Sequence, residues 1–180
     1  VPDFVESVQY DLTRSVLFSA DGQRMLVLED NWYDDDYVAD VFDLQSGKKL
    51  ATLAYPDGFS PLFIGMGLSQ DGNTLAVKYA DSIEVWDLRK PSEGPVHLLS
   101  PDGYFWDESI VVSPNGSLVA AILDDGIGIW DVSRQTIAGI VKLSVANAYI
   151  YDMAFSPDGL YLAVYASDGA VHLYGAPPAQ

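Results

Sequence analysis

One turn-and-hairpin unit recurs four times in this chain, and that repetition limits the fold more than any other feature. The turns are Ser19-Ala20-Asp21-Gly22, Ser69-Gln70-Asp71-Gly72, Ser113-Pro114-Asn115-Gly116 and Ser156-Pro157-Asp158-Gly159. Each is followed by a short apolar run, a second turn and an alternating segment that ends on an aromatic residue: Phe42, Trp86, Trp130 and Tyr174. Residues 113–132, SPNGSLVAAILDDGIGIWDV, show the unit most plainly. Asn-Gly and Asp-Gly turns between apolar, alternating runs read as β-hairpins. The closing aromatics are evenly spaced, and a constant period of about 40–45 residues throughout an all-strand sequence is the mark of β-propeller blades. The expected fold is therefore all-β, a β-propeller with four four-stranded antiparallel blades per chain.

Calling the strands of a unit d, a, b and c, strand a ends at the turn serine, b follows the turn and c carries the closing aromatic. Strand d is read at Lys49 to Leu53, Val96 to Ser100 and Ile140 to Ser144. The chain opens with a spare d-like piece, residues 3–10, and its last unit stops after strand c, so this piece is expected to complete the last blade by pairing with Ala170 to Tyr174. A propeller removes its open edges by such closure. On this reading residues 1–175 form the propeller and 176–180 a C-terminal tail. The first unit carries an insertion, Glu29 to Tyr37, which is expected to lengthen the hairpin between strands b and c. Leu26, Val27, Leu75, Val77, Val119, Ile122, Leu162 and Val164 are expected between stacked blades, with Trp86 and Trp130 beside them as packing residues.

The apolar content is 49%, enough for a real core, and no apolar run approaches the roughly 18 residues that span a bilayer. Neither a membrane nor a signal segment is expected, although the chain starts at Val1 and reads as trimmed or cut from something longer. There is no cysteine, hence no disulfide framework, no thiolate nucleophile and no indication of compartment. Nine Lys and Arg against 26 Asp and Glu give a formal net charge of −17. That field opposes nucleic acid and anionic lipid and favours basic partners.

Enzymatic signatures are missing: no HExxH, phosphate-binding glycine loop, nucleophile elbow or kinase motif occurs. His97 and His172 each stand alone among strand residues, and no catalytic residue or cofactor is assigned. Asp34, Asp35 and Asp36 offer the oxygen ligands that calcium takes. They lack the EF-hand spacing, read as a solvated loop, and are not assigned as metal ligands.

Sorting the loops by face gives a stronger signal. In a propeller the d–a and b–c loops share one rim, and here that rim gathers Asp11, Glu29, Asp30, Asp34, Asp35, Asp36, Asp57, Asp81, Asp102, Asp107, Glu108, Asp124, Asp125 and Asp168, with Arg14 nearly alone as a base, and the aromatics Tyr10, Trp32, Tyr33, Tyr37, Tyr55, Phe59, Tyr104, Phe105, Trp106 and Tyr149. Turns have no need of so many aromatics, which are the usual anchors of binding surfaces. The opposite rim holds Lys48, Lys49, Arg89, Lys90 and Arg134.

Ser156-Pro157-Asp158-Gly159 with Leu160 to Ala166, Ile83-Glu84-Val85-Trp86-Asp87 and Gly128-Ile129-Trp130-Asp131 resemble the WD40 repeat family, and the resemblance covers nearly the whole chain. The repeats depart from the family in lacking its Gly-His pair between strands d and a, so Asp125 and Asp168 have no partner of that kind. They depart also in number, since propellers of this family usually have more than four blades. Three assemblies follow: two chains forming an eight-bladed ring, one chain within a larger propeller, or a closed four-bladed ring. The functional expectation is a non-catalytic scaffold that takes a basic peptide or protein patch on the rim through Trp32, Tyr33, Asp34, Asp35, Asp36, Tyr55, Phe59, Tyr104, Phe105 and Trp106. The alternative is a structural half-ring that closes by homodimerisation; less favoured still is an enzyme or a small-molecule or calcium binder at the channel.

Overall fold

The computed structural model of the chain describes residues 13–31, 36–54, 63–101, 109–124, 126–142 and 149–175. They form four antiparallel sheets, one per repeat. Sheet 1 is β1 (Thr13–Phe18), β2 (Arg24–Asn31), β3 (Asp36–Asp43) and β4 (Lys49–Ala54). Sheet 2 is β5 (Phe63–Leu68), β6 (Thr74–Tyr79), β7 (Ser82–Asp87) and β8 (Val96–Leu99). Sheet 3 is β9 (Ile110–Val112), β10 (Leu118–Leu123), β11 (Gly126–Asp131) and β12 (Thr136–Val141), and sheet 4 is β13 (Ile150–Phe155), β14 (Tyr161–Ala166) and β15 (Val171–Gly175). Every sheet pairs its strands in chain order, so each repeat is a meander. The strand expected to complete sheet 4, at residues 3–10, lies outside the described residues. No helix among the described residues is long and apolar enough to cross a membrane.

The four serine turns are built alike. In the first, Arg24 N–H donates to Ser19 Oγ at 2.9 Å, Ser19 Oγ donates to Asp21 Oδ1 at 2.5 Å, and the same oxygen accepts Gln23 N–H at 2.9 Å. Asp71, Asn115 and Asp158 repeat the arrangement with Ser69, Ser113 and Ser156. The glycine that follows has φ between 68° and 73° in all four, a left-handed conformation in which a side chain is strained. Serine, Asp or Asn, and glycine are thus each required by a hydrogen bond or a dihedral.

The aspartate behind the closing aromatic has a comparable task at the far end of strand c. Asp43 Oδ1 accepts Ser46 N–H at 2.7 Å, Asp87 Oδ1 accepts Arg89 N–H at 3.0 Å, and Asp131 Oδ1 accepts Ser133 Oγ–H at 2.6 Å and Arg134 N–H at 3.0 Å. The Trp-Asp dipeptide therefore couples a packing residue to a turn cap.

One expectation about strands is revised and another is met. Strand d of the third repeat is Thr136–Val141, ahead of the expected Ile140 to Ser144. The reason is local: the Asp131 cap folds the turn tightly, Gln135 takes φ 56°, and Thr136 already pairs with Asp131. In the first repeat the insertion does lengthen the hairpin, with Glu29, Asp30 and Asn31 paired to Val38, Tyr37 and Asp36.

The chain divides into two compact units between Phe63 and Ile64. In the first, Leu26, Ala39, Val41 and Leu53 are buried. In the second, sheets 2, 3 and 4 stack face to face. Sheet 3 turns Ile110, Val112, Val119, Ala121 and Trp130 toward Ala76, Ile83, Val85 and Leu98 of sheet 2. Its other face sets Leu118, Ala120, Ile127 and Ile129 against Met153, Leu162 and Val164 of sheet 4. The pleat sends alternate residues to opposite faces, so a strand such as LVAAIL is apolar throughout because both faces are covered. All eight interior positions named from the sequence are buried or half-buried, as are both tryptophans. Gly128 lets the Trp130 indole lie flat, since a Cβ there would stand 2.5 Å from its Cη2.

Candidate functional site

The b–c turns and the strand d to strand a connections do meet at one edge of the second unit. In sheet 2, Ser100 N–H donates to the carbonyl of Asp81 at 3.4 Å; in sheet 4, Ser167 N–H donates to the carbonyl of Tyr149 at 2.8 Å and Tyr149 N–H to Ser167 Oγ at 3.0 Å. Asp81, Asp124 and Asp168 are exposed along this edge, and Tyr149 is 78% exposed beside them.

Asp168 shows what sequence reading missed. Its Oδ1 accepts Ala170 N–H at 2.9 Å and its Oδ2 lies 2.9 Å from His172 Nε2. The Ala170 amide, then the His172 hydrogen bond, hold the Asp168 carboxyl below its usual range. His172 therefore does not stand alone; the two residues bracket the b–c turn, and a histidine four positions behind an aspartate in such a turn is the signal for it. His97 Nδ1 likewise lies 3.9 Å from Glu84 Oε1.

The rim residues named from the sequence fall almost entirely elsewhere. Trp32, Tyr33, Asp34, Asp35, Tyr55, Phe59, Tyr104, Phe105 and Trp106 lie outside the described residues, as does Asp125. Asp36 is described for its backbone, which pairs with Asn31 at the tip of the β2–β3 hairpin.

The a–b and c–d turns occupy the opposite edge. Asp71 N–H donates to the Pro114 carbonyl at 3.2 Å, and a Cβ on Gly116 would stand 2.0 Å from Thr74 Oγ1, so neighbouring turns press on one another. Arg89 forks onto Asp87, with Nε and Nη2 each 2.8 Å from a carboxylate oxygen, and Lys90 lies 3.1 Å from Glu93. The Arg89 hydrogen bond holds Asp87 below its usual range. These bases are engaged by acids of their own turn.

Two long polar side chains, Glu84 and Lys78, are buried on opposite faces of sheet 2. Glu84 occupies the position that Gly128 holds in sheet 3, and Trp86 Nε1–H donates to Glu84 Oε2 at 3.2 Å. Burial pushes the Glu84 carboxyl up, while the His97 charge and hydrogen bonds from Trp86 and Tyr79 work against that rise. Lys78, fully buried, donates from Nζ to the Ser109 carbonyl at 2.9 Å. Among the described residues no group of three or more His, Asp or Glu is placed to hold a metal ion.

These features define a class: a repeat protein of antiparallel β-meanders, stacked face to face in its second unit, which fits a WD40-like fold. No family model matches the chain. The chain is similar to pre-mRNA-processing factor 19 homolog 2 of Arabidopsis thaliana, at 26% identity over 133 residues, which is 73% of this chain and 24% of that protein. The match thus spans about a quarter of the relative's length.

Proposed function

We propose that this chain is a non-catalytic protein-interaction module with WD40-like propeller architecture, and that it takes a basic peptide or protein patch on the edge formed by its b–c and d–a loops. The observation that carries the reading is the meeting of those two loop classes at one edge, where Asp81, Asp124, Asp168 and Tyr149 stand exposed. Trp32, Tyr33, Phe105 and Trp106 are the anchors, and Asp34, Asp35 and Asp36 attract the basic partner, with Tyr55, Phe59 and Tyr104 completing the surface. A net charge of −17 steers cations toward the chain and repels phosphate, which weighs against nucleic acid and anionic lipid. The similarity to part of a pre-mRNA-processing factor is in keeping with a protein-interaction module.

The test is binding of fluorescent Lys/Arg-rich peptides, followed by anisotropy at low and high salt. Binding should weaken as salt rises, because exposed charge pairs are screened beyond about 8 Å at physiological ionic strength. Trp32→Ala and Trp106→Ala should each abolish binding and leave the melting temperature unchanged. A parallel loss of binding and of melting temperature would assign both tryptophans to packing and sink the proposal.

A further inference from the structure

Three of the four serine turns place an aspartate before the glycine; the third places Asn115 there, in the one Asn-Gly step of the chain. Glycine has no side chain to shield its nitrogen, which can close a five-membered ring on the carboxamide carbon of a preceding asparagine. Asn115 is exposed, so water reaches that carboxamide.

As folded, the turn resists ring closure. Gly116 N–H donates to the Ser113 carbonyl at 2.9 Å, so the nitrogen that would attack is engaged. Asn115 Oδ1 accepts Ser113 Oγ–H at 3.0 Å, Ser117 N–H at 3.1 Å and Ser117 Oγ–H at 2.8 Å, which fixes the carboxamide. Gly116 is buried against the preceding turn, where a Cβ would stand 2.0 Å from Thr74 Oγ1, and the Pro114 carbonyl accepts Asp71 N–H at 3.2 Å. The 115–116 peptide therefore cannot swing until the turn leaves its neighbour. All of these residues belong to the second unit.

We propose that Asn115 is a site of spontaneous deamidation, gated by opening of the third turn. In the open turn the Gly116 nitrogen gives its proton to solvent and bonds to Asn115 Cγ. The Cγ–Nδ2 bond breaks, ammonia leaves with a proton from water, and a succinimide ring remains. Water then opens the ring at either carbonyl, giving an aspartate at 115 or an isoaspartate whose main chain runs through Cβ and Cγ. Water is consumed, ammonia is released, and nothing is oxidised or reduced.

The two products act differently on the fold. An aspartate takes the place that Asp21, Asp71 and Asp158 hold, with the same serine and amide partners. An isoaspartate adds a carbon to the main chain of the turn and displaces Gly116, left-handed at φ 73°, from its niche beside Thr74. It thereby loosens the start of β10, whose two faces carry sheets 2 and 4. The site lies on the edge opposite the one proposed for binding and does not depend on it.

The experiment follows position 115 of the full chain by peptide mass spectrometry during warm incubation at mildly alkaline pH, folded and in urea. Methylation by an isoaspartate methyltransferase tells the two products apart. The unfolded chain should convert Asn115 to both, and the folded chain should do so at least about 10-fold more slowly, because only the open fraction reacts. Ser113→Ala, which removes a hydrogen bond to Asn115 Oδ1, should narrow that difference, as should urea below the unfolding midpoint. Asn115→Asp should keep the wild-type melting temperature, whereas a chain aged in urea and refolded, rich in isoaspartate, should melt lower. Equal rates in the folded and unfolded chain, an Asn115 that survives urea, or an isoaspartate-rich chain that melts with the wild type each overturn the proposal. So does a folded-state rate that neither Ser113→Ala nor low urea moves.

Discussion

Glu84 is a residue whose protonation should be readable in the stability of the whole chain. Burial raises its pKa in the folded state, so the folded chain holds this proton more tightly than the unfolded one. The stability it contributes is present at low pH and is lost as pH rises from the ordinary Glu value, about 4.3, through the raised one. Its neighbours His97, Trp86 and Tyr79 oppose the shift without cancelling it. Glu84→Gln keeps an oxygen for Trp86 Nε1–H and removes the charge. The variant should melt higher than the wild type at pH 7 and close to it at pH 4. An equal gain at both values would mean that burial of the charge is not the cause. Position 128 makes the complementary case: Gly128→Ala drives a methyl group into the Trp130 ring and should lose about 1–3 kcal/mol in a urea melt.

At the scale of the element, the serine turn is the unit from which every repeat is made. Ser113 is buried, accepts Leu118 N–H at 2.9 Å and donates to Asn115 Oδ1 at 3.0 Å. Ser113→Ala strands a buried amide and should cost about 1–3 kcal/mol, whereas Ser156→Ala, in a more exposed turn, should cost less. Denaturant melts of the two variants give the comparison. Acid should act together on the turns held by Asp43, Asp71, Asp131 and Asp158. Hydrogen bonds from Ser46 hold Asp43 low, those of Ser133 and Arg134 hold Asp131 low, and those of Ser156 and Leu160 hold Asp158 low. For Asp71 burial pushes upward, but Ser69 and Asn73 outweigh it and the carboxyl ends below its usual range. Groups lowered in the folded state add stability above the ordinary Asp value and lose it as pH falls through their own. The melting temperature should therefore decline below about pH 4, opposite in sign to the Glu84 contribution.

These same elements explain what could be read in advance. The turns and strands b and c were legible because Ser, Asp or Asn, Gly and the closing aromatic each answer to a single bond, dihedral or packing contact. Strand d of the third repeat was misplaced since nothing in Thr136 to Val141 marks its start; the marker is the Asp131 cap and the left-handed Gln135 before it. The Asp168–His172 pair escaped because its partners sit on opposite sides of a turn and match no family motif.

For the whole molecule, the stacking of separate meanders implies that stability is passed between neighbours. Each sheet in such a repeat array contributes its own stability and a term for each face it shares. Sheet 3 shares both, through different residues of the same strands: Val119 faces sheet 2 and Leu118 and Ile129 face sheet 4. Ile129→Ala should leave a cavity that costs about 2–5 kcal/mol, and the loss should fall first on the contact with sheet 4. Sheet 4 has the fewest strands among the described residues, so it has least to hold it once that contact weakens. Native-state hydrogen exchange of Ile129→Ala should therefore show the amides of β13 and β14 losing protection beyond the global change, with those of β6 and β7 following the global change alone. Val119→Ala should reverse the order, weakening the face toward sheet 2. Uniform loss across all three sheets in both variants would show instead that the second unit unfolds as one cooperative body, in which the faces of sheet 3 have no separate weight.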